Sequence, residues 1–325
     1  MTTKPTIVLL TAEDEDRYPG LEQVENVATL IHVRDEASLK DALPQADILL
    51  VTDFRARMLQ KVWPGDHHID WLHATAAGVD ALMFPEVVNS DIRVTNARGV
   101  FDRGIAEYVL GAILLFAKDT INNIRYQRRH QWRHRETELI QGSRALVVGA
   151  GSIGRKVAGL LRAAGMTVIG TARSARQDDR FDAVYANDKL HDLLPESDYV
   201  IITAPLTDDT RGLFDHKAFS SMKPSARLIN VGRGPIVVES DLVDALENKI
   251  ISGAALDVFE QEPLDEQSLL WEMPQVMISA HMAGDFIGWR RALIDQFVEN
   301  FHNWSEGREL FNVVDKQSGF VSSKV

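Results

Sequence analysis

A chain of 325 residues is too long for one average core and suits two domains; its 45% hydrophobic and 25% charged residues are the balance of a packed globular protein and exclude wholesale disorder. A formal net charge of -12 at pH 7 repels phosphate backbones, so nucleic acid is a poor partner, and the absence of cysteine excludes disulfides, thiolate nucleophiles and cysteine-ligated metal. The opening MTTKPTIVLL lacks the basic-then-apolar pattern of a secretory signal, and no apolar run reaches the roughly 18 residues that span a bilayer, so a cytoplasmic protein with no membrane partner is expected.

The first third alternates short apolar runs with amphipathic stretches. Thr6–Thr11, Asp47–Thr52, Asp70–Thr75 and Ile92–Asn96 read as buried strands, with a helix over Ala37–Leu43, which predicts a parallel sheet covered by helices. Asp102–Ile121 reads as a long helix: Asp102 suits the N-cap, and Ile105, Tyr108, Val109, Ala112, Leu115 and Phe116 share one face. The basic run that follows, Arg125, Arg128, Arg129, Arg133 and Arg135 with Trp132 among them, reads as a solvated or subunit-contacting surface. A second alternating series begins at Ser143. Its strands are Arg144–Val148, Met166–Gly170, Tyr199–Thr203, Arg227–Val231, Gly253–Leu256 and Val276–Ser279, and its helices are Ile153–Ala164, Asp215–Met222 and Glu239–Glu247, which together predict a doubly wound sheet. A last helix, Trp289–Trp304, is expected to return to the first domain.

The strand Arg144–Val148 runs into Gly149-Ala-Gly151-Ser-Ile-Gly154 and then into a helix. In that setting the G-x-G-x-x-G pattern reads as a dinucleotide loop. Gly149 permits the turn, Gly151 lets the backbone approach a pyrophosphate, and Gly154 lets the helix pack closely, with the N–H groups of Ser152 and Ile153 aimed at the phosphate. An acidic residue about 20 positions on would bind the ribose hydroxyl. Ala172 stands there instead, followed by Arg173 and Ser174, a guanidinium and a hydroxyl that suit a 2'-phosphate. NADP(H) is therefore expected in preference to NAD(H); an Arg173 that only stacks on adenine is the alternative.

Three further segments each follow a predicted strand: Ile229-Asn-Val-Gly-Arg233-Gly-Pro235, Leu256-Asp257-Val-Phe-Glu-Gln-Glu262-Pro263, and Ile278-Ser-Ala-His281-Met-Ala-Gly284. Carboxyl ends of parallel strands are where open sheets bind ligands. With the glycine loop, these segments resemble, in order and spacing and over nearly the full chain, the D-isomer-specific 2-hydroxyacid dehydrogenase family, above all its glyoxylate/hydroxypyruvate reductase (2-ketoacid reductase) branch. The resemblance implies an α/β fold of two Rossmann-like domains. A doubly wound parallel-sheet dinucleotide-binding domain, residues 99–288, would be inserted in a smaller flavodoxin-like substrate domain, residues 1–98 and 289–325. It implies Arg233 as the substrate arginine, His281 as acid/base, Glu262 as its partner, and Asp257 facing the nicotinamide end of the cofactor, with a plain loop cap as the alternative for Asp257. It also implies that backbone N–H groups of Ala77 and Gly78, after a strand, bind the substrate carboxylate, and that the assembly is a homodimer. No metal is implied.

Chemistry gives those roles reasons. Arg233 can bind both carboxylate oxygens of a 2-keto acid and polarise its carbonyl, the cofactor would supply hydride, and a protonated His281 can supply the proton, with Glu262 favouring the charged imidazole. Phe54 and Arg55 are candidates for lining the variable end of the substrate. The segment Met282-Ala-Gly284-Asp285-Phe286-Ile-Gly288-Trp289-Arg290 departs from the commoner family pattern, which weakens the carry-over of any one substrate. Glu262 argues against a formate dehydrogenase, which would carry glutamine beside the histidine; phosphonate oxidation and a co-repressor of the C-terminal-binding-protein kind stay open. A glycine loop that begins only at Gly149 disfavours an L-lactate-type enzyme.

Overall fold

Five strands make the first sheet: β1 (Thr6–Leu10), β2 (Thr29–Val33), β3 (Ile48–Val51), β4 (Trp71–Ala74) and β5 (Arg93–Asn96), all parallel in the order β2-β1-β3-β4-β5. The computed structural model describes residues 4–13, 15, 17–52 and 57–321; Phe54 and Arg55 lie outside the described residues. Alternate side chains leave opposite faces of a strand. Val8, Leu10, Leu49, Val51, Leu72 and Val94 accordingly pack on Leu39, Leu43 and Leu59, whereas Ile7, Leu9, Ile48, Leu50 and Trp71 pack on Leu293, Ile294, Phe297 and Phe301 of the helix Trp289–Ser305. Both faces are covered, so the central strands are apolar throughout, as parallel sheets require.

His73 is a buried titratable group in that core. It is fully buried, its Nδ1 lies 2.8 Å from Thr95 Oγ1, its ring packs near Trp71 and Phe297, and its Nε2 has no hydrogen-bond partner. Burial pushes it down to about 3 from the ordinary 6.5. The native protein thus keeps His73 neutral while the unfolded chain takes up a proton below that ordinary value, so stability must fall as pH drops from 6.5 toward 3. Two pH units below the unfolded value correspond to about 2–3 kcal/mol. We expect His73→Val to lose that much less stability than the wild type between neutral pH and pH ~4.5 in urea unfolding; equal losses would show that His73 is protonated in place.

The second sheet holds seven parallel strands: β6 (Arg144–Val148), β7 (Thr167–Ala172), β8 (Ala183–Ala186), β9 (Tyr199–Ile202), β10 (Arg227–Asn230), β11 (Gly253–Leu256) and β12 (Val276–Ile278). Their order, β12-β11-β10-β9-β6-β7-β8, reverses between β6 and β9 and so makes a switch point beside the loop that follows β6. The chain divides into two units, Met1–Phe101 with Phe286–Val325, and Asp102–Asp285. The sequence-based junctions at 98/99 and 288/289 fall just outside this division, and Val100 and Phe101, beyond the first of them, pack on the core of the first unit.

Two strands escape the periodicity argument, β2 and β8, and both are edges. Only Val33 of β2 and Val184 of β8 are buried, so neither carries a continuous apolar signal. The predicted helix over Asp102–Ile121 also needs correction: it ends at Ala117, Asp119 adopts φ +49, and a separate helix spans Thr120–Arg128. A left-handed residue cannot continue a right-handed helix.

Candidate active site

The loop after β6 is shaped by two close backbone approaches. Gly149 has φ +106, and a Cβ there would sit 2.7 Å from the Ala204 nitrogen beyond β9. A Cβ on Gly154 would lie 2.1 Å from the Gly149 carbonyl oxygen, an oxygen that also accepts from Thr203 Oγ1 at 2.8 Å. Gly151 differs: nothing lies within 4 Å of a Cβ built on it, so its small size leaves open space above the first turn of the helix Ser152–Ala163. An open cradle at the N-terminus of a 12-residue helix fits a dinucleotide pyrophosphate. The Ser152 hydroxyl donates to the Asp102 carboxylate, and Ser152 and Ile153 open that helix. Past β7, Arg173 and Ser174 are exposed, and Arg176 donates from its guanidinium to the Ala150 carbonyl, inside the glycine loop.

Arg233 follows β10 in a turn organised by Asn230. The buried Asn230 side chain accepts from the Gly232 N–H at 3.1 Å and donates to the Arg233 carbonyl at 3.2 Å. Both flanking glycines have steric reasons. A Cβ on Gly232 would meet the Ala204 carbonyl oxygen at 2.8 Å, and one on Gly234 would meet the Phe259 carbonyl oxygen at 1.8 Å. The Gly-Arg-Gly turn is therefore pressed against the loop that carries Glu262. Arg233 itself is half-buried, and its Nη1 donates to the Gly232 carbonyl at 2.8 Å.

Glu262 and His281 meet directly: His281 Nδ1 lies 2.7 Å from Glu262 Oε2, while Glu262 Oε1 accepts from the Phe259 N–H at 3.0 Å. Partial burial works to raise the Glu262 carboxyl, but the His281 hydrogen bond and charge, the Phe259 amide and the Arg233 charge outweigh it and hold the group below the ordinary glutamate range. The side chains of His281 and Glu262 stay 37% and 27% exposed. Asp257 is buried just after β11, and its carboxylate partners all lie in the stretch 279–283 around His281. Arg233, Glu262 and His281 thus come together in the unit Asp102–Asp285. Ala77 and Gly78 lie half-buried after β4 in the other unit, where the Ala77 carbonyl accepts from Asn96. Among the described residues no group of three or more His, Cys, Asp or Glu is placed to hold a metal ion, and no helix is long and apolar enough to cross a membrane.

Residues 110–283 match the D-isomer specific 2-hydroxyacid dehydrogenase, NAD binding domain family. The chain belongs to the D-isomer specific 2-hydroxyacid dehydrogenase family. It is 33% identical over 262 residues to an uncharacterized protein from the proB 3' region of Corynebacterium melassecola, covering 78% of this chain and 84% of that one. A glyoxylate reductase of Aeropyrum pernix is 32% identical over 251 residues, covering 74% and 75%. Among solved structures, a family member from Aeromonas salmonicida superimposes with a TM-score of 0.83 at 30% identity over 97% of this chain and 100% of that one. An NADPH-dependent glyoxylate/hydroxypyruvate reductase from Sinorhizobium meliloti, crystallised with NADP and sulfate, gives 0.82 at 26% identity over 98% and 100%.

As a D-isomer specific 2-hydroxyacid dehydrogenase, the protein is an NAD(P)-dependent oxidoreductase of 2-keto and 2-hydroxy acids. Several residues that shape this dehydrogenase site were not singled out from sequence. Asn230 could have been, as a polar residue ending an apolar strand just before Gly-Arg-Gly. Arg176 could have been too, as a second arginine three positions after Arg173. Tyr108, whose Oη lies 2.7 Å from Ser279 Oγ, carried no signal, because it sits on the apolar face of its helix and reads as core.

Proposed function

We propose that the protein reduces a small 2-keto acid, of the glyoxylate or hydroxypyruvate kind, to the D-2-hydroxy acid, with NADPH preferred over NADH and His281 as proton donor. The observation that carries this reading is the 2.7 Å contact of His281 Nδ1 with Glu262, a carboxylate also under the charge of Arg233. The bound dinucleotide would supply hydride. Arg233 binds the substrate carboxylate and polarises the neighbouring carbonyl. With Nδ1 engaged by Glu262, His281 presents Nε2–H, and that proton goes to the carbonyl oxygen as it gains charge. Glu262 fixes the ring and stabilises its charged form. Ala77 and Gly78 are assigned to the substrate carboxylate through their backbone N–H groups.

The same reading gives the cofactor to Gly149, Gly151, Ser152, Ile153 and Gly154, with Asp257 facing its nicotinamide end. Arg173 and Ser174 would take the 2'-phosphate. Arg176, lying on the glycine loop, adds positive charge there. The absence of a carboxylate at Ala172 supports this preference, as do relatives crystallised with NADP or NADPH at 26% and 27% identity. The assembly in this reading is a cytoplasmic homodimer, for which the 99% exposed Trp132 and 74% exposed Leu139 offer apolar contact surface.

Initial rates with glyoxylate, hydroxypyruvate, phenylpyruvate and a branched 2-keto acid, each with NADPH and NADH, test the proposal. A charge-assisted contact to the 2'-phosphate predicts a kcat/KM preference of about 10–100-fold for NADPH, most of it lost in Arg173→Ala while the NADH rate barely moves. A clear NADH preference removes the role given to Arg173. No reduction of any keto acid with either cofactor removes the function itself.

A further inference from the structure

A hydrogen-bonded chain ties the helix Asp102–Ala117 to the loop bearing His281, wholly within one unit. The Asp257 carboxylate, 3% exposed, accepts from Ser279 Oγ at 2.6 Å, Met282 N at 2.9 Å and Ala283 N at 3.0 Å, and the Asp257 carbonyl accepts from His281 N at 2.8 Å. Ser279 is the donor in its contact with Asp257, so its one hydroxyl proton is committed there. Ser279 Oγ also lies 2.7 Å from Tyr108 Oη. With its own proton engaged, Ser279 can only accept in that contact, and Tyr108 must donate. The order Tyr108 to Ser279 to Asp257 is thereby fixed.

His281 needs such support. Its φ of +51 lies in the left-handed region that side-chain-bearing residues avoid, and such conformations persist where their surroundings over-determine them. The Asp257 bonds clamp the residues on both sides of His281 and His281 itself. We propose that Tyr108 is a positioning residue, which through Ser279 and Asp257 holds the His281 loop so that the imidazole faces Glu262. The inference rests on the assignment of His281 as proton donor.

The test is epistasis. Tyr108→Phe removes one hydroxyl, and losing one hydrogen bond of the chain should lower kcat about fivefold while KM for NADPH changes less than about twofold. Ser279→Ala, which cuts the chain at its middle, should lose more, and Ser279→Thr, which keeps the hydroxyl, should restore most of the rate. In a His281→Asn background, Tyr108→Phe should cost nothing further, because it acts only through the imidazole. In the apo protein the His281 ring proton resonance, assigned by its absence from His281→Asn, should shift in Tyr108→Phe while the other histidines stay in place. Full kcat in Tyr108→Phe, or the same fractional loss in both backgrounds, overturns the inference and leaves the His281 assignment standing. Wild-type rates in His281→Asn itself would overturn that assignment and this inference with it.

Discussion

Replacing His281 is expected to lower the rate of keto-acid reduction by about 10²–10⁴-fold, the range for loss of a positioned general acid. The choice of replacement matters, because this position has φ +51. Alanine would add backbone strain to the loss of the imidazole, whereas asparagine tolerates the left-handed region and cannot serve as the acid. His281→Asn should therefore fold with a melting temperature close to wild type, bind NADPH normally and turn over slowly. Glu262→Gln tests the companion role. It keeps an amide oxygen that can accept from Nδ1 but removes the charge, so the loss should be smaller. Glu262 is held below the ordinary glutamate range, so its interaction with His281 is present at neutral pH and lost only as pH falls through that depressed value. The wild-type rate should accordingly show an acid limb from Glu262 below the usual carboxylate range, and Glu262→Gln should lack it. Near-wild-type turnover by His281→Asn would end the mechanistic assignment.

Gly234→Ala should damage the protein more than any other single methyl in the site. The added Cβ would fall 1.8 Å from the Phe259 carbonyl oxygen and 1.9 Å from its carbon, both backbone atoms that cannot rotate away. Relief requires moving the turn of Arg233 or the loop of Glu262. Overpacking of this severity costs about 3 kcal/mol or more, and about an ångström of displacement costs on the order of 100-fold in rate. Urea unfolding and steady-state kinetics should therefore both register the change. Gly151→Ala is the contrasting case. A Cβ there meets nothing within 4 Å, so the apo protein should lose only about 1 kcal/mol, the typical cost of a helix N-cap change. Dinucleotide affinity should fall instead, because the methyl occupies the space assigned to the pyrophosphate. If Gly151→Ala binds NADPH as tightly as wild type, the loop is not the phosphate cradle.

These two glycines show the limit of reading from residues alone. The glycine pattern marks a dinucleotide loop once a strand precedes it and a helix follows, and Gly-Arg-Gly stands out beside a strand end. Sequence cannot say that Gly151 borders open space while Gly234 is small for Phe259, because the neighbour of Gly234 lies 25 residues away along the chain. The strands that sequence missed, β2 and β8, fail for a related reason: each buries a single residue, Val33 or Val184, so their place comes from pairing partners rather than from composition.

The order of apolar runs, the glycine loop and the strand-end residues Arg233, Glu262 and His281 are local properties, and the sequence by itself determined the parallel α/β architecture and the catalytic candidates from them. Folding decided what depends on distant partners. It spent the Asp257 carboxylate on the loop of His281, tied Tyr108 into that loop through Ser279, laid Arg176 across the glycine turn and left His73 neutral in an apolar core. Hydrogen-bond direction, steric exclusion and desolvation are set by whichever atoms tertiary packing brings within a few ångströms, and no pattern along the chain encodes that distance.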